Sequence, residues 1–187
     1  MKRHVLALTS LGILGISPGI AFAHPMTGTG MGAGLLHPLM GADHLLAMAA
    51  VGIWAGMQKG RMQLALPGTF LVALLGGFAL ARAGLDLPMV ESGIALSVLL
   101  LGIIITTAAR LPASVAMVLS GGFALFHGYA HGAEASGALM AFASGFMVSS
   151  AGLHLGGICL AHKLNRLPAL VRSAGAAIAA SGLWMLN

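Results

Sequence analysis

The chain has 187 residues, of which 58% are hydrophobic and only 7% charged, with a formal net charge of +5. Water-soluble domains carry about 25% charged residues, so this composition excludes one and indicates an integral membrane protein. The basic residues are scattered among short segments and imply no nucleic-acid partner, and one cysteine, Cys159, rules out an internal disulfide framework or a Cys-rich zinc site.

Residues 1–23, MKRHVLALTSLGILGISPGIAFA, read as a secretory signal peptide. They have a basic start (Lys2, Arg3), a modest apolar middle, Pro18 and Gly19, and a small-x-small ending at Ala21-Phe22-Ala23. The alternative, an uncleaved first helix, is disfavoured because the apolar stretch is short for a span. Cleavage leaves residues 24–187, beginning at His24, as one all-α, six-helix transmembrane domain. Losing Lys2 and Arg3 leaves seven Lys and Arg against four acids.

Apolar runs follow at about 35–57, 62–81, 88–109, 112–131, 136–161 and 168–186. Each is near the ~20 residues that ~30 Å of hydrocarbon requires. Lys59 and Arg61 follow the first run, Arg110 follows the third, and Lys163, Arg166 and Arg172 surround the start of the sixth. The intervening loops instead hold Arg82 opposed by Asp86 and Glu91, and Glu134. The positive-inside rule therefore places the first set in the cytoplasm, with the mature amino terminus and Asn187 on the exported side. A cleaved signal peptide delivers the amino terminus to that same side.

The 28 glycines suit helices that approach closely in lipid, with small-xxx-small spacing at Gly52/Gly56, Gly128/Gly132 and Gly152/Gly156. Trp54 and Trp184 fall near span ends, where interfacial aromatics sit. The pentapeptide GGFAL occurs at 76–80 and 121–125 and reads as a coincidence of composition.

Polar residues within these runs carry the functional signal. In HPLMGADH, His37 and His44 are seven apart, so on one continuous helix they would share a face within about 20°. Asp43 would point about 100° away from His44, free to orient an imidazole on a neighbouring helix or to bind an ion alongside. A carboxylate near the bilayer midplane costs at least ~2.5 kcal/mol unless it meets water or a partner. The fourth run ends in FHGYAHGAE, where His127, His131 and Glu134 follow i, i+4, i+7 spacing, and the fifth adds His154. Ordered by depth, His24, then His131 and Glu134, then His37 and His127, then Asp43 and His44, then His154 form a ladder from outside to inside. Imidazole with a few carboxylates suits Ni²⁺, Co²⁺, Zn²⁺ or Cu²⁺, whereas Mg²⁺ and Ca²⁺ want oxygen ligands.

HPLMGADH matches the HPxxGxDH signature of the HupE/UreJ family, and LLAMAAVGIWA, FHGYAHGAE and LHLGG extend the resemblance over essentially the whole chain. The resemblance implies a secondary permease of the cytoplasmic membrane for nickel, in some relatives cobalt, linked indirectly to hydrogenase or urease maturation. It implies metal handling by His37, Asp43 and His44, and more weakly by His24, His127, His131, Glu134 and His154. No tightly bound cofactor is expected, the metal being cargo, and homo-oligomerisation is left open.

Three rivals remain. A metalloprotease would use the HGYAH spacing, but Gly128 stands where the general-base glutamate must be. A b-type haem protein would pair His127 or His44 with His154, yet haem wants isolated facing histidines in apolar surroundings. A membrane accessory protein that holds metal without moving it fits the residues nearly as well as a permease does.

Overall fold

A computed structural model describes residues 30–187, and all regular structure among them is helical. The expected signal peptide and His24 lie outside the described residues. Five of the six apolar runs form single helices: α3 (Met62–Arg82), α4 (Val90–Thr107), α5 (Ala113–Glu134), α6 (Leu139–Lys163) and α7 (Pro168–Met185). The first run departs from expectation. It forms two helices, α1 (Met31–Met40) and α2 (Ala42–Gly56), whose axes differ by 86°.

The break has a local cause. Gly41 between the helices is extended, with φ −95° and ψ 121°. Pro38 within α1 has no N–H with which to continue the helical ladder. Asp43, in the first turn of α2, accepts the backbone N–H of His44 at 2.7 Å, meeting one of the donors that every helix start leaves open. His37 and His44 therefore do not share a face of one helix, as continuous helical spacing requires.

Helices α3 to α6 are each long and apolar enough to cross a membrane, and the bent α1–α2 pair passes the same test as a fifth unit. In α7, Arg172 and a run of Gly, Ala and Ser dilute the hydropathy. Only 33–44% of each long helix's most apolar window is buried, and the outward positions remain apolar, including Leu64, Val72, Val118, Val148, Leu155 and Leu183. A surface of that kind is adapted to lipid.

Glycine sets how closely the helices pair. Gly128 and Gly132 of α5 lie against the backbone of Leu74 and Phe78 of α3, and Ser120 donates to the Leu66 carbonyl at 3.0 Å, so these two helices run parallel. This register pairs residues 54 apart, whereas the two GGFAL copies are 45 apart and so do not face one another. Gly52 and Gly56 of α2 pack on His154 and Ala161 of α6, again in parallel. Gly102 of α4 meets Ala179 of α7 while Gly182 meets Leu99, which makes that pair antiparallel. These directions are what strict up-and-down alternation of six runs produces.

Two expectations fail here. Gly152 and Gly156 have open space where a Cβ would stand, so they mark no tight helix contact among the described residues. Trp54 is 1% exposed and belongs to the core, while Trp184, 61% exposed near the end of α7, keeps the expected exposure.

The difference between glycines is testable by thermal unfolding in detergent. Gly128→Ala drives a methyl into the Leu74 backbone and is expected to lower stability by about 1–3 kcal/mol, outweighing the ~1 kcal/mol that alanine contributes to helix propensity. Gly152→Ala, with no such neighbour, should leave the midpoint unchanged or raise it.

Candidate functional site

Helices α1 and α2 pack on α6, and on either side of the bend at Gly41 the side chains of His37 and His44 reach those of His127 and His131 in the last two turns of α5, so that four histidines meet there. The rings of His37 and His131 lie 4.7 Å apart between centroids, those of His44 and His131 4.6 Å, those of His44 and His127 4.7 Å, and those of His37 and His44 6.4 Å. His127 and His131 are fully buried and His44 is 9% exposed. Phenylalanines wall the cluster: Phe146 stacks on His131 at 4.8 Å with planes 9° apart, and Phe142 meets His37 edge-on at 5.3 Å.

The contacts run in series from Glu134 to His37, His131, His44 and His127, with His131 equally close to His37 and His44. The carboxylates lie at the margins of the cluster. Glu134 receives the Nε2–H of His37 at 3.1 Å with its own side chain 63% exposed. Asp43 does not reach a neighbouring helix. Its Oδ1 lies 2.9 Å from Nδ1 of the adjacent His44, and its other side faces a cavity of about 580 Å³ lined by Glu91, Ala95, Trp184, Met185 and Asn187.

His154 stands apart, one step deeper. Its ring contacts Phe70 at 5.1 Å, and Phe70 contacts His127 at 5.9 Å, so one fully buried benzyl ring touches both imidazoles.

Hydrogen-bond partners decide which ring nitrogens are free. A carbonyl or carboxylate oxygen can only accept, so His154 donates Nδ1–H to the Met48 carbonyl at 2.8 Å, and neutral His44 donates Nδ1–H to Asp43. Each ring is thereby left with its lone pair on Nε2, and both Nε2 atoms are buried without a protein partner. His127 Nδ1 and both nitrogens of His131 are likewise buried and unpartnered. Buried polar atoms nearly always find partners, because leaving one unpaired costs about 1–3 kcal/mol. Several together in one place single out this cluster as the candidate site.

Among the described residues no three His, Cys, Asp or Glu side chains are arranged to hold one metal ion. The donors occur in pairs along a path. Cys159 is exposed and plays no part, and His162 lies 3.1 Å from the Gln63 amide at the far end of α6. Spacing along the sequence did not reveal Ser97, whose Oγ lies 2.8 Å from His127 Nε2, or Phe70, because a serine or a phenylalanine in a span carries no distinguishing pattern. Glu91 was legible only as a loop charge.

The unpaired nitrogens give a prediction about stability. In metal-free buffer with chelator, His131→Leu is expected to stabilise the protein by about 1–3 kcal/mol, since it removes two unsatisfied buried atoms at similar volume, while weakening divalent-metal binding. Loss of both stability and binding, read by thermal unfolding and metal titration, would show that the imidazole has a structural role.

Comparison with known proteins supplies the remaining observation. The profile of the family described as HupE / UreJ protein matches residues 6–185. The chain is 39% identical over 183 residues to Protein HupE of Rhizobium leguminosarum bv. viciae, a match covering 95% of each chain. No solved structure matches.

Proposed function

The chain belongs to the HupE/UreJ family, and from that premise we propose that it is a secondary transporter carrying Ni²⁺, or Co²⁺, across the cytoplasmic membrane towards the maturation of nickel enzymes. The observation that carries this reading is the cluster of His37, His44, His127 and His131, with buried ring nitrogens that have no protein partner. In this reading the α1–α2 pair, α3, α4, α5, α6 and α7 make six crossings after a cleaved signal peptide, with both mature termini on the exported side. The parallel and antiparallel pairings of the helices support that count.

Helix α2, with 15 residues, is about 22 Å long, short of the ~30 Å hydrocarbon thickness. Its outer end, bearing Asp43 and His44, therefore opens below the membrane surface into a polar vestibule. Glu134 and Asp43 attract the hydrated dication there. The imidazole cluster replaces its water with nitrogen ligands, and Asp43 and Glu134 offset part of its charge from the margins. Passage beyond Phe70 delivers it to His154 and then to the cytoplasm. A doubly charged ion moving into a cell held at about 100 mV gains roughly 4.6 kcal/mol from the potential alone. No GxxxxGK[ST] loop is present in the sequence to supply ATP-driven transport. Donors in pairs favour conduction over storage, because a transported ion must be bound well enough to lose water and weakly enough to leave.

The test is uptake of labelled nickel at trace concentration by cells expressing the chain, with excess Co²⁺, Zn²⁺, Cu²⁺ or Mn²⁺ as competitors. His37→Ala, Asp43→Ala and His44→Ala are each expected to reduce uptake at least about tenfold at equal membrane levels. Unchanged uptake in all three would remove the site. Binding of nickel without any uptake would leave a holding protein in place of a permease.

The pH profile gives a second check. Imidazole ligates metal only as the neutral ring, so uptake is expected to decline as the exported side is acidified far enough to protonate the cluster. Uptake that rises steadily with acidity would establish proton coupling and overturn facilitated diffusion.

A further inference from the structure

Ser97 lies on α4, outside the residues discussed as ligands, and is fully buried. Its Oγ is 2.7 Å from the Ile94 carbonyl oxygen and 2.8 Å from Nε2 of His127. A hydroxyl has one proton and two lone pairs, whereas a carbonyl oxygen can only accept. Donation from Ser97 to Ile94, one turn back, is an ordinary arrangement for serine in a helix. With the proton so committed, Oγ can only accept, and His127 must donate Nε2–H to it. The reverse assignment would leave two oxygens 2.7 Å apart with no proton between them in a buried site.

We propose that Ser97 is the positioning residue that holds His127 in its Nε2–H tautomer, making Nδ1 the atom that meets the metal ion. This inference rests on the metal-transport reading. His127 Nδ1 is buried and has no protein partner, and its ring stands perpendicular to that of His44, 4.7 Å between centroids. The wrong tautomer would present an N–H to an arriving dication in place of a lone pair. No water-exposed edge of the ring exists through which the proton could readily move, since His127 is fully buried. The acceptor that fixes the tautomer also raises the basicity of the ligating nitrogen, as partners behind metal-bound histidines do.

The same device serves His44 through Asp43 and His154 through the Met48 carbonyl, but in both of those Nδ1 is tied back and Nε2 is free. His127 is held the other way round. The five-membered ring places Nδ1 nearer its own backbone than Nε2, so tying back Nε2 puts the donor atom close to the α5 main chain. Ser97 thus fixes where along the path the donor stands as well as its protonation.

The experiment is nitrogen NMR of the full-length protein labelled with ¹⁵N-histidine, in lipid bilayers and chelator-treated buffer, with Zn²⁺ alone as the diamagnetic probe. The His127 signals are identified by their loss in His127→Gln. In the parent protein His127 is expected to be protonated at Nε2, with the Nδ1 signal moving as Zn²⁺ is added. Ser97→Ala should give a mixture of tautomers and a 10–100-fold weaker Zn²⁺ midpoint, in the range typical of residues behind a metal ligand. Ser97→Thr, which keeps the hydroxyl, should retain the tautomer and lie within about twofold of the parent.

Protonation at Nδ1 in the parent protein would overturn the proposal, even if Ser97→Ala fails to fold. An unchanged tautomer and Zn²⁺ midpoint in Ser97→Ala would also overturn it, and would leave the permease reading untouched. Zn²⁺ binding at Nδ1 with no nickel uptake into proteoliposomes would support the role of Ser97 and sink the permease reading instead.

Discussion

A neutral imidazole carries one donor and one acceptor on opposite sides of a single carbon, and the protein interior at the α1–α2–α5 junction offers an oxygen for at most one of them. That shortfall organises everything around it. Asp43 and the Met48 carbonyl each take an N–H, leaving His44 and His154 with a buried lone pair. His131 stacks on Phe146 with neither nitrogen satisfied. An apolar core would not retain these groups for their own stability, because each unpaired atom costs about 1–3 kcal/mol. In the proposed transport reading, a cation that accepts lone pairs is the partner that removes the cost.

Close packing sets where those nitrogens stand. Gly128 follows His127 and Gly132 follows His131, and the alternation divides α5 into two faces. The glycines let the backbone settle against Leu74 and Phe78 of α3, while the histidines look towards α1 and α2. On α6, Gly157 seats α2 at Ala49 and Ile53 while His154, one turn earlier, reaches the Met48 carbonyl. The glycines and histidines thus work together: close backbone contact through glycine fixes the height at which an imidazole is presented, towards other helices in α5 and towards the same helix, α2, in α6.

Hydropathy located five of the six apolar runs as helices because burial in lipid depends on composition, which a single sequence displays. It could not show direction. The run through Gly41 is equally apolar whether straight or bent, and the sign of the break was local: an extended glycine, Pro38 before it and an acid in the first turn after it. Reading that run as one helix placed His37 and His44 on a shared face and aimed Asp43 at a distant partner, when Asp43 in fact bonds its own neighbour. The histidines themselves were legible, since each is costly where it stands. Their grouping was not, because it depends on helix pairing, and Ser97 and Phe70 were invisible because nothing about their type is costly in a span.

In the proposed transport reading, selectivity and release follow from what the donor set lacks. Nitrogen and oxygen ligands bind divalent ions in an order that peaks at copper, so affinity alone does not favour nickel. A thiolate would worsen this by trapping soft ions, and Cys159 is exposed on α6, away from the cluster. Three donors converge nowhere among the described residues, so no site offers the closed tetrahedral cage that zinc prefers. An ion that tolerates partial coordination, and that exchanges one imidazole for the next, therefore meets the smallest barrier. Phe70, in contact with both His127 and His154, sharpens the requirement in that reading, since an ion passing it would leave one nitrogen before fully gaining the other.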